Sequence, residues 1–369
     1  MNGLRADMQN DAKAEAEARQ YYLELIKTLP QQKLNQDKSL SDLLTFEGRN
    51  LWWYLAISEK NIWTSKLIHR LYALAQQKSV KGKKIKSSYF ARRYFLKAIQ
   101  VIVTLLLKKI LLAMLRVNKS SPANSVVFFS IYPNWWDKAY SDNASDIMFR
   151  ELPLELAKSE RVCHLVWLLP WQELLKNWQK FRRFLSSRND FFVLERNLRL
   201  SDIFCLLHPG LFKRLFGVVE LAQGKLAEFK GIDISDLVRE ELFLSMCSPM
   251  FFQHLLMDKA LQQVPLGSFK ALLYRLEFQP LEKALLYNAR TKTATIGYQH
   301  SALGKNFLNY VFMPGELGEY WRNSSDPNSM PLPDYIFTCG EKGLDYMRRA
   351  GYPKEQLAIG GSLRLSPLI

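Results

Sequence analysis

Residues 271–300 read ALLYRLEFQPLEKALLYNARTKTATIGYQH, and this stretch decides the fold. The apolar run at 271–276 predicts a buried strand, and the Leu- and Ala-rich segment 281–289 behind Pro280 predicts a helix. The apolar run at 293–298 predicts a second strand. A strand, a crossover helix and a further strand at this spacing are typical of a parallel sheet.

The same alternation extends in both directions along the chain. Further strands are predicted at 126–131, 162–169, 190–194, 335–339 and 357–359. Further helices are predicted at 145–159, 171–185 and 342–350. Residues 200–263 are mainly helical, with breaks at Pro209, Gly231 and Pro249. We therefore expect an α/β protein with a Rossmann-like parallel sheet and crossover helices, over 121–364, with a helical insertion at about 200–263.

The positive charge of the chain is concentrated ahead of this sheet. The net charge is +16, yet residues 60–119 alone hold 15 Lys and Arg and no Asp or Glu. The remaining residues hold 36 basic and 35 acidic side chains and are nearly neutral. Residues 1–120 are thus predicted to be a helical extension that carries one strongly basic segment.

A long apolar helix is predicted inside the basic segment, over 94–117. Lys108 and Lys109 interrupt its apolar run, so no uncharged stretch reaches the ~20 residues of a membrane-spanning helix. An apolar helix beside dense positive charge is typical of a segment that lies in the headgroup region of an anionic leaflet. The basic residues assigned to this membrane surface are Lys81, Lys83, Lys84, Lys86, Arg92, Arg93 and Lys97. The alternative is a buried helix beside a solvated basic loop.

Cysteine spacing and the first residues indicate the compartment. The four cysteines are far apart in sequence and form no cluster with ligand spacing, which favours ordinary thiols in a reducing environment. Residues 1–19 are polar and lack the apolar core of a secretory signal. We expect a cytoplasmic protein that is peripheral at the inner face of the cell membrane.

Several enzyme classes lose support because their motifs are absent. The sequence holds no GxxxxGK[ST] phosphate loop, no GxGxxG fingerprint, no HExxH and no GxSxG elbow. It also lacks a DxD pair that would hold a divalent cation on a nucleotide diphosphate. No cofactor and no metal are expected.

The densest polar loop, at 297–306, follows a predicted strand. The carboxyl ends of parallel strands border the ligand crevice of an open sheet, so this loop is expected there. His300 can accept a proton at neutral pH, as activation of an acceptor hydroxyl requires. Gln299, Ser301 and Asn306 are its candidate substrate-binding neighbours. The alternative is a structural histidine in the core.

Two other loops are predicted to meet the same edge of the sheet. Glu277 follows the strand at 271–276 and is a candidate catalytic carboxylate, whereas Glu282 in the first helical turn can simply oppose the helix dipole. Trp136 and Asp137 follow the first strand. Aromatic and acidic side chains together suit sugar binding, although the tryptophans could equally close the core.

Short motifs follow one another in the second half of the chain. They are EFQPLEKA at 277–284, YQHS at 298–301, MPGE at 313–316, PDY at 333–335, GE at 340–341, GYP at 351–353 and GGSLR at 360–364. Their order resembles a family of glycosyltransferases of bacterial surface carbohydrate biosynthesis, which covers O-antigen, lipopolysaccharide and capsule. More remotely it resembles the GT-B transferases that include CDP-glycerol glycerophosphotransferases and bacterial sialyltransferases.

The resemblance implies two facing Rossmann-like domains and no required metal. The acceptor, a glycan or lipid-linked glycan, would bind the first domain, and the nucleotide sugar the second. It implies that His300 is the general base, and it places Glu316, Ser362 and Arg364 among the substrate-binding residues. The remoter relatives have glycine where this chain has Ser301, so their backbone geometry at this position is not carried over to this chain.

The end of the chain carries a further expectation. In GT-B enzymes the segment resembling 360–364 closes the first domain, so residues 365–369 would begin a linker and the donor domain would be missing. A chain truncated in this way is expected not to transfer sugar by itself. Two alternatives stay open: a non-catalytic membrane-associated scaffold, and a nucleic-acid-binding protein that uses the basic segment, although no nucleic acid is expected.

Overall fold

A computed structural model describes most of the chain. The described residues are 2–35, 37–115, 123–132, 148–168, 171–176, 178–185, 190–300, 303, 307–314, 316–317 and 329–363.

A seven-stranded parallel sheet forms the centre of the molecule. Its strands are β1 (Val126–Tyr132), β2 (Val162–Leu168), β3 (Phe191–Val193), β4 (Ala271–Arg275), β5 (Thr295–Gln299), β6 (Tyr335–Thr338) and β7 (Leu357–Ile359). Every residue of β1 is buried, as expected of a strand covered on both faces. The prediction of a Rossmann-like α/β fold behind a helical N-terminal region is confirmed.

The strand order creates a switch point in the sheet. The spatial order is β7-β6-β5-β4-β1-β2-β3, so the chain builds outward from β1 to β3 and then returns to place β4 on the other side of β1. All neighbouring pairs are parallel. The carboxyl ends of the strands therefore share one edge, and the crevice between β1 and β4 is where ligands bind in such sheets.

Helices cover the sheet and form the N-terminal region. They are α1 (Asn2–Thr28), α2 (Leu40–Leu43), α3 (Lys66–Ala75), α4 (Ser87–Met114), α5 (Leu152–Leu156), α6 (Trp171–Lys176), α7 (Trp178–Leu185), α8 (Leu200–Phe204), α9 (Pro209–Leu221), α10 (Ser235–Met246), α11 (Pro249–Gln262), α12 (Pro280–Ala289) and α13 (Glu341–Arg349). Pro209 and Pro249 begin helices because proline fits the first turn, where its missing N–H is not needed. Gly231 turns a hairpin with φ +79°.

The N-terminal region packs directly against the sheet domain. A continuous apolar core includes side chains from Ala18 to Tyr352. Arg49 pairs with the buried Asp258 at 3.3 Å, and Tyr54 donates to the same carboxylate at 3.0 Å. The predicted division at residue 120 stays a prediction, but the apolar core is continuous across it.

A buried ion pair joins α4 to the sheet. Lys108 Nζ lies 2.7 Å from Glu195 Oε1 and also donates to the Leu168 carbonyl at 2.8 Å. The same Glu195 oxygen accepts the Leu168 N–H at 2.8 Å. Lys109 donates to the Leu198 carbonyl at 2.6 Å. Both lysines that interrupt the apolar run thus point toward the protein. Within the described part of the chain, no helix is long and apolar enough to cross a membrane.

Lys108→Met should lower the free energy of unfolding by about 3–5 kcal/mol, because it leaves the Glu195 carboxyl buried without its cation. The double variant Lys108→Met, Glu195→Gln should recover most of that loss. Urea unfolding at neutral pH measures both. Lys97→Met on the same helix is the control and should change stability by less than about 0.5 kcal/mol. Equal stabilities for Lys108→Met and the control would contradict the assigned role.

His254→Gln should weaken the acid dependence of stability. Burial lowers the pKa of His254 to about 4, from 6.5 in the unfolded chain. The unfolded state therefore binds a proton first as pH falls, and the folded state loses stability between pH 6.5 and 4. Between pH 7 and 4 the wild type should lose about 3 kcal/mol more than the variant. Urea unfolding at both pH values measures this, with exposed His69→Gln as control; a parallel loss in wild type and His254→Gln would refute it.

Candidate functional site

Two predicted catalytic residues meet at the carboxyl edge of the sheet. Glu277 lies two residues beyond the end of β4, and His300 follows β5 directly. These strands are parallel neighbours with Arg275 opposite Tyr298, so their following loops start side by side. His300 Nε2 lies 3.5 Å from Glu277 Oε1. The distance allows an ion pair when the imidazole is protonated.

The second oxygen of Glu277 is held by two other side chains. Arg275 lies 2.9 Å from Oε2, and the Gln279 amide donates to the same oxygen at 2.8 Å. Burial raises the pKa of Glu277, and the Arg275 guanidinium opposes that rise. The side chain of Glu277 is 21% exposed, whereas that of His300 is 3% exposed. Glu277 is therefore the member of the pair that solvent reaches.

The loop that carries Glu277 is held in a strained conformation. Phe278 has φ 56°, which a bulky side chain rarely adopts. Its ring is buried, in edge contacts with Tyr310 and Phe312 and a stacked contact with Tyr352. Asn309 donates to the Glu277 carbonyl at 2.7 Å, and Tyr310 donates to the carbonyl of the residue before it. Strain of this kind persists where the surroundings fix the backbone, as they do here.

Glu282 fixes the same loop from the helix side. Its carboxyl accepts the Glu277 N–H at 2.9 Å and also the Phe278 N–H. Burial raises the pKa of Glu282 well above its ordinary value, and the neighbouring Glu277 adds to the rise. Its place in the first turn of α12 is as predicted, but the dipole role stays a prediction, because a raised pKa disfavours the charged carboxylate that this role needs. The contacts give it a second role, in shaping the loop.

The remaining described substrate-binding candidates lie in different settings. Gln299 is fully buried, and its Oε1 accepts the Cys339 N–H at 3.4 Å, which ties β5 to the end of β6. Glu316 forms a buried ion pair with Lys60 and accepts the Met313 N–H. Ser362 is half-buried in the turn after β7.

Other sequence candidates are on the surface or outside the described residues. Lys81, Lys83, Lys84, Lys86 and Arg92 are exposed, and Arg93 and Lys97 are half-buried. Five candidates lie outside the described residues: Trp136, Asp137, Ser301, Asn306 and Arg364.

Sequence reasoning missed the groups that position Glu277. Arg275 had a signal, because it is a charged residue at the end of an apolar strand and two positions before a candidate carboxylate. No pattern in the sequence indicated Asn309 and Tyr310. They contact the loop at Glu277 from a short 3-10 helix more than thirty residues later in the chain. Their contribution depends on tertiary packing.

The chain has no match in comparisons with known proteins, whether family models, curated proteins or solved structures. Across the residues that the structure describes, no group of three or more His, Cys, Asp or Glu side chains is arranged to hold a metal ion.

The arrangement can carry out acid–base chemistry. A carboxylate beside an imidazole orients the ring and stabilises the imidazolium that forms when the ring takes a proton. With Nε2 facing Glu277, a substrate proton would have to reach Nδ1, an atom that is buried in this structure. Apo sites often show contacts of this kind that are longer than in the reacting complex.

Glu282→Ala should lower the free energy of unfolding by about 2–4 kcal/mol, because it leaves two buried N–H groups without an acceptor. Glu282→Gln keeps an acceptor oxygen and should stay within about 1 kcal/mol of wild type. Thermal or urea unfolding distinguishes them. Glu341→Ala, in the exposed first turn of α13, is the control and should cost less than about 1 kcal/mol. Equal effects of Glu282→Ala and Glu282→Gln would contradict the acceptor role.

Proposed function

We propose that this domain is the acceptor-binding part of a glycosyltransferase of bacterial surface carbohydrate synthesis, with His300 and Glu277 as its acid–base pair. The observation that carries the proposal is the 3.5 Å approach of the two side chains at the carboxyl edge of a Rossmann-like sheet. The motif resemblance supports it, because EFQP and YQHS each contribute one member of the pair.

The proposed roles follow from the contacts of each residue. His300 accepts the proton of the acceptor hydroxyl. Glu277 orients the imidazole through Oε1 and stabilises its positive charge. Arg275 and Gln279 hold Oε2, so the carboxylate keeps its position while the ring charges. The strained loop at Glu277 and Phe278 further restricts the movement of the carboxylate.

The proposed reaction is a substitution at the anomeric carbon. The acceptor oxygen forms a bond to that carbon, the bond from the carbon to the nucleotide phosphate oxygen breaks, and the nucleotide leaves with the electron pair. The acceptor proton passes to His300. Charge on the leaving phosphate would be stabilised from the donor side, which the resemblance assigns to a second domain.

A non-catalytic role for the same fold is the second candidate. The His300 side chain is only 3% exposed, and Glu277 already has two partners besides it. A structural ion pair has these properties too. Under this alternative the protein would be an assembly component at the membrane, and the pair would stabilise the sheet edge.

Glu277→Gln and His300→Asn should each weaken acceptor binding by about tenfold or more, because His300 contacts the acceptor hydroxyl and Glu277 holds the imidazole in the orientation for that contact. The measurement is ligand-observed NMR titration of the whole protein with oligosaccharides from bacterial envelope glycans. Thermal midpoints should change little. His69→Asn, at an exposed histidine outside the site, is the matched control.

The outcomes separate the two candidates. Loss of glycan binding with an unchanged thermal midpoint supports the acceptor site. Binding by no glycan of the panel, or a lower thermal midpoint with unchanged binding, supports the structural pair and overturns the proposal. Assays with CMP-, UDP-, GDP- and CDP-linked donors then test transfer, for which a general base typically contributes 10²–10⁴-fold.

A further inference from the structure

The outer face of α4 is an uninterrupted apolar stripe. Six side chains at helical spacing are exposed by 41–75%: Leu96, Ile99, Val103, Leu107, Ile110 and Met114. The stripe is about 27 Å long at the rise of an α-helix. Single exposed apolar side chains are ordinary on a protein surface, but a contiguous row marks an interaction site.

The inward lysines explain why the stripe faces outward. Lys108 and Lys109 bind groups at the end of β2 and in the segment after β3. Successive residues of an α-helix are rotated by about 100°, so all six stripe residues lie within about 50° of the direction opposite these lysines. The polar side chains Gln100 and Thr104 line a cleft with Lys108, Trp167 and Gln253. The inward face of α4 is itself mainly apolar and packs into the core, with Lys108 as its buried charge, so the exposed stripe is a second apolar face that points away from the protein.

Positive charge adjoins one end of the stripe. Arg92 is exposed on the same helix face, one turn before Leu96. The exposed lysines Lys81, Lys83, Lys84 and Lys86 lie in the segment that leads into α4. Residues 60–119 contain no Asp or Glu, and the nearest acidic contact in the structure is Glu240 of α10, which accepts the Lys83 N–H at 3.0 Å and pairs with Arg70. The surface thus combines a neutral apolar row with a basic margin.

We propose that this face of α4, with its basic margin, binds an anionic lipid bilayer, the helix lying in the plane of the headgroups. Apolar side chains enter the acyl boundary while the lysines and Arg92 contact anionic headgroups. The contact is an interaction surface beyond the acceptor site, and it stands whether or not His300 and Glu277 are catalytic.

The same observations disfavour two other occupants. For a second copy, one helical stripe of this length offers a few hundred Å² per partner, below the ~800 Å² of a standard interface. Nucleic acid would contact the lysines but leave the apolar row without a partner, since its recognition uses phosphate and base contacts.

Vesicle flotation of the full chain tests the proposal. Vesicles of phosphatidylglycerol with phosphatidylcholine should carry the protein, vesicles of phosphatidylcholine alone should carry at least tenfold less, and high salt should release it. The double variant Val103→Asp, Leu107→Asp should lose at least tenfold in binding. The matched control is Leu154→Asp, Ile232→Asp, at exposed apolar positions away from α4, and it should bind as wild type does.

A quadruple variant tests the contribution of charge separately: Lys81→Gln, Lys83→Gln, Lys84→Gln and Lys86→Gln. Its binding to phosphatidylglycerol vesicles should be weak and should depend much less on salt than that of the wild type. Circular dichroism and thermal midpoints should match wild type for all variants, because these side chains are exposed. Equal binding to neutral vesicles, wild-type binding by the α4 variant, or a stable dimer that the α4 variant dissociates without any lipid binding would each overturn the proposal. Glycan binding by the α4 variant should be unchanged, so the two proposals fail independently.

Discussion

The Lys108–Glu195 ion pair determines how the helical region meets the sheet. Two buried charges are costly unless each is paired and hydrogen-bonded; here Lys108 also donates to the Leu168 carbonyl and Glu195 accepts the Leu168 N–H at the end of β2. The pair therefore fixes α4 in position and in rotation about its axis. Rotation is the more important consequence, because it decides which side chains face solvent. The helix is apolar on two sides, and this rotation buries one apolar face in the core and leaves the other exposed.

The candidate site depends on a second constraint, the parallel register of β4 and β5. Register brings Glu277 and His300 to the same height, and the loop contacts then set the direction of the carboxylate. Phe278 is held with positive φ by aromatic packing, while Glu282 and Asn309 bind the N–H and the carbonyl of Glu277. The carboxylate is thus fixed by residues from α12 and from the 307–312 segment, which also bury the strained ring.

Much of the fold could be predicted from sequence, because each strand is a local apolar run and alternation with helices implies a parallel sheet. The placement of Glu277 and His300 at one edge followed from the same rule. The rest required tertiary information. Lys108 and Lys109 could be recognised only as interruptions of an apolar run, since nothing local reveals Glu195 and the carbonyl groups near it as their partners. Gln299 was expected to bind substrate beside His300, but its side chain is fully buried and accepts the Cys339 N–H, a partner that only the pairing of β5 with β6 reveals.

The strand order has a consequence for how the chain folds as it is synthesised. The central strand β1 pairs with β4, and 138 residues separate Tyr132 from Ala271. At roughly 5–20 residues per second a ribosome needs on the order of ten seconds to make that interval. During this time one edge of β1 has no native partner strand. Helices α8–α11 form from local contacts in the interval, whereas the sheet is completed late, so nascent chains are most exposed to mispairing just before β4 emerges.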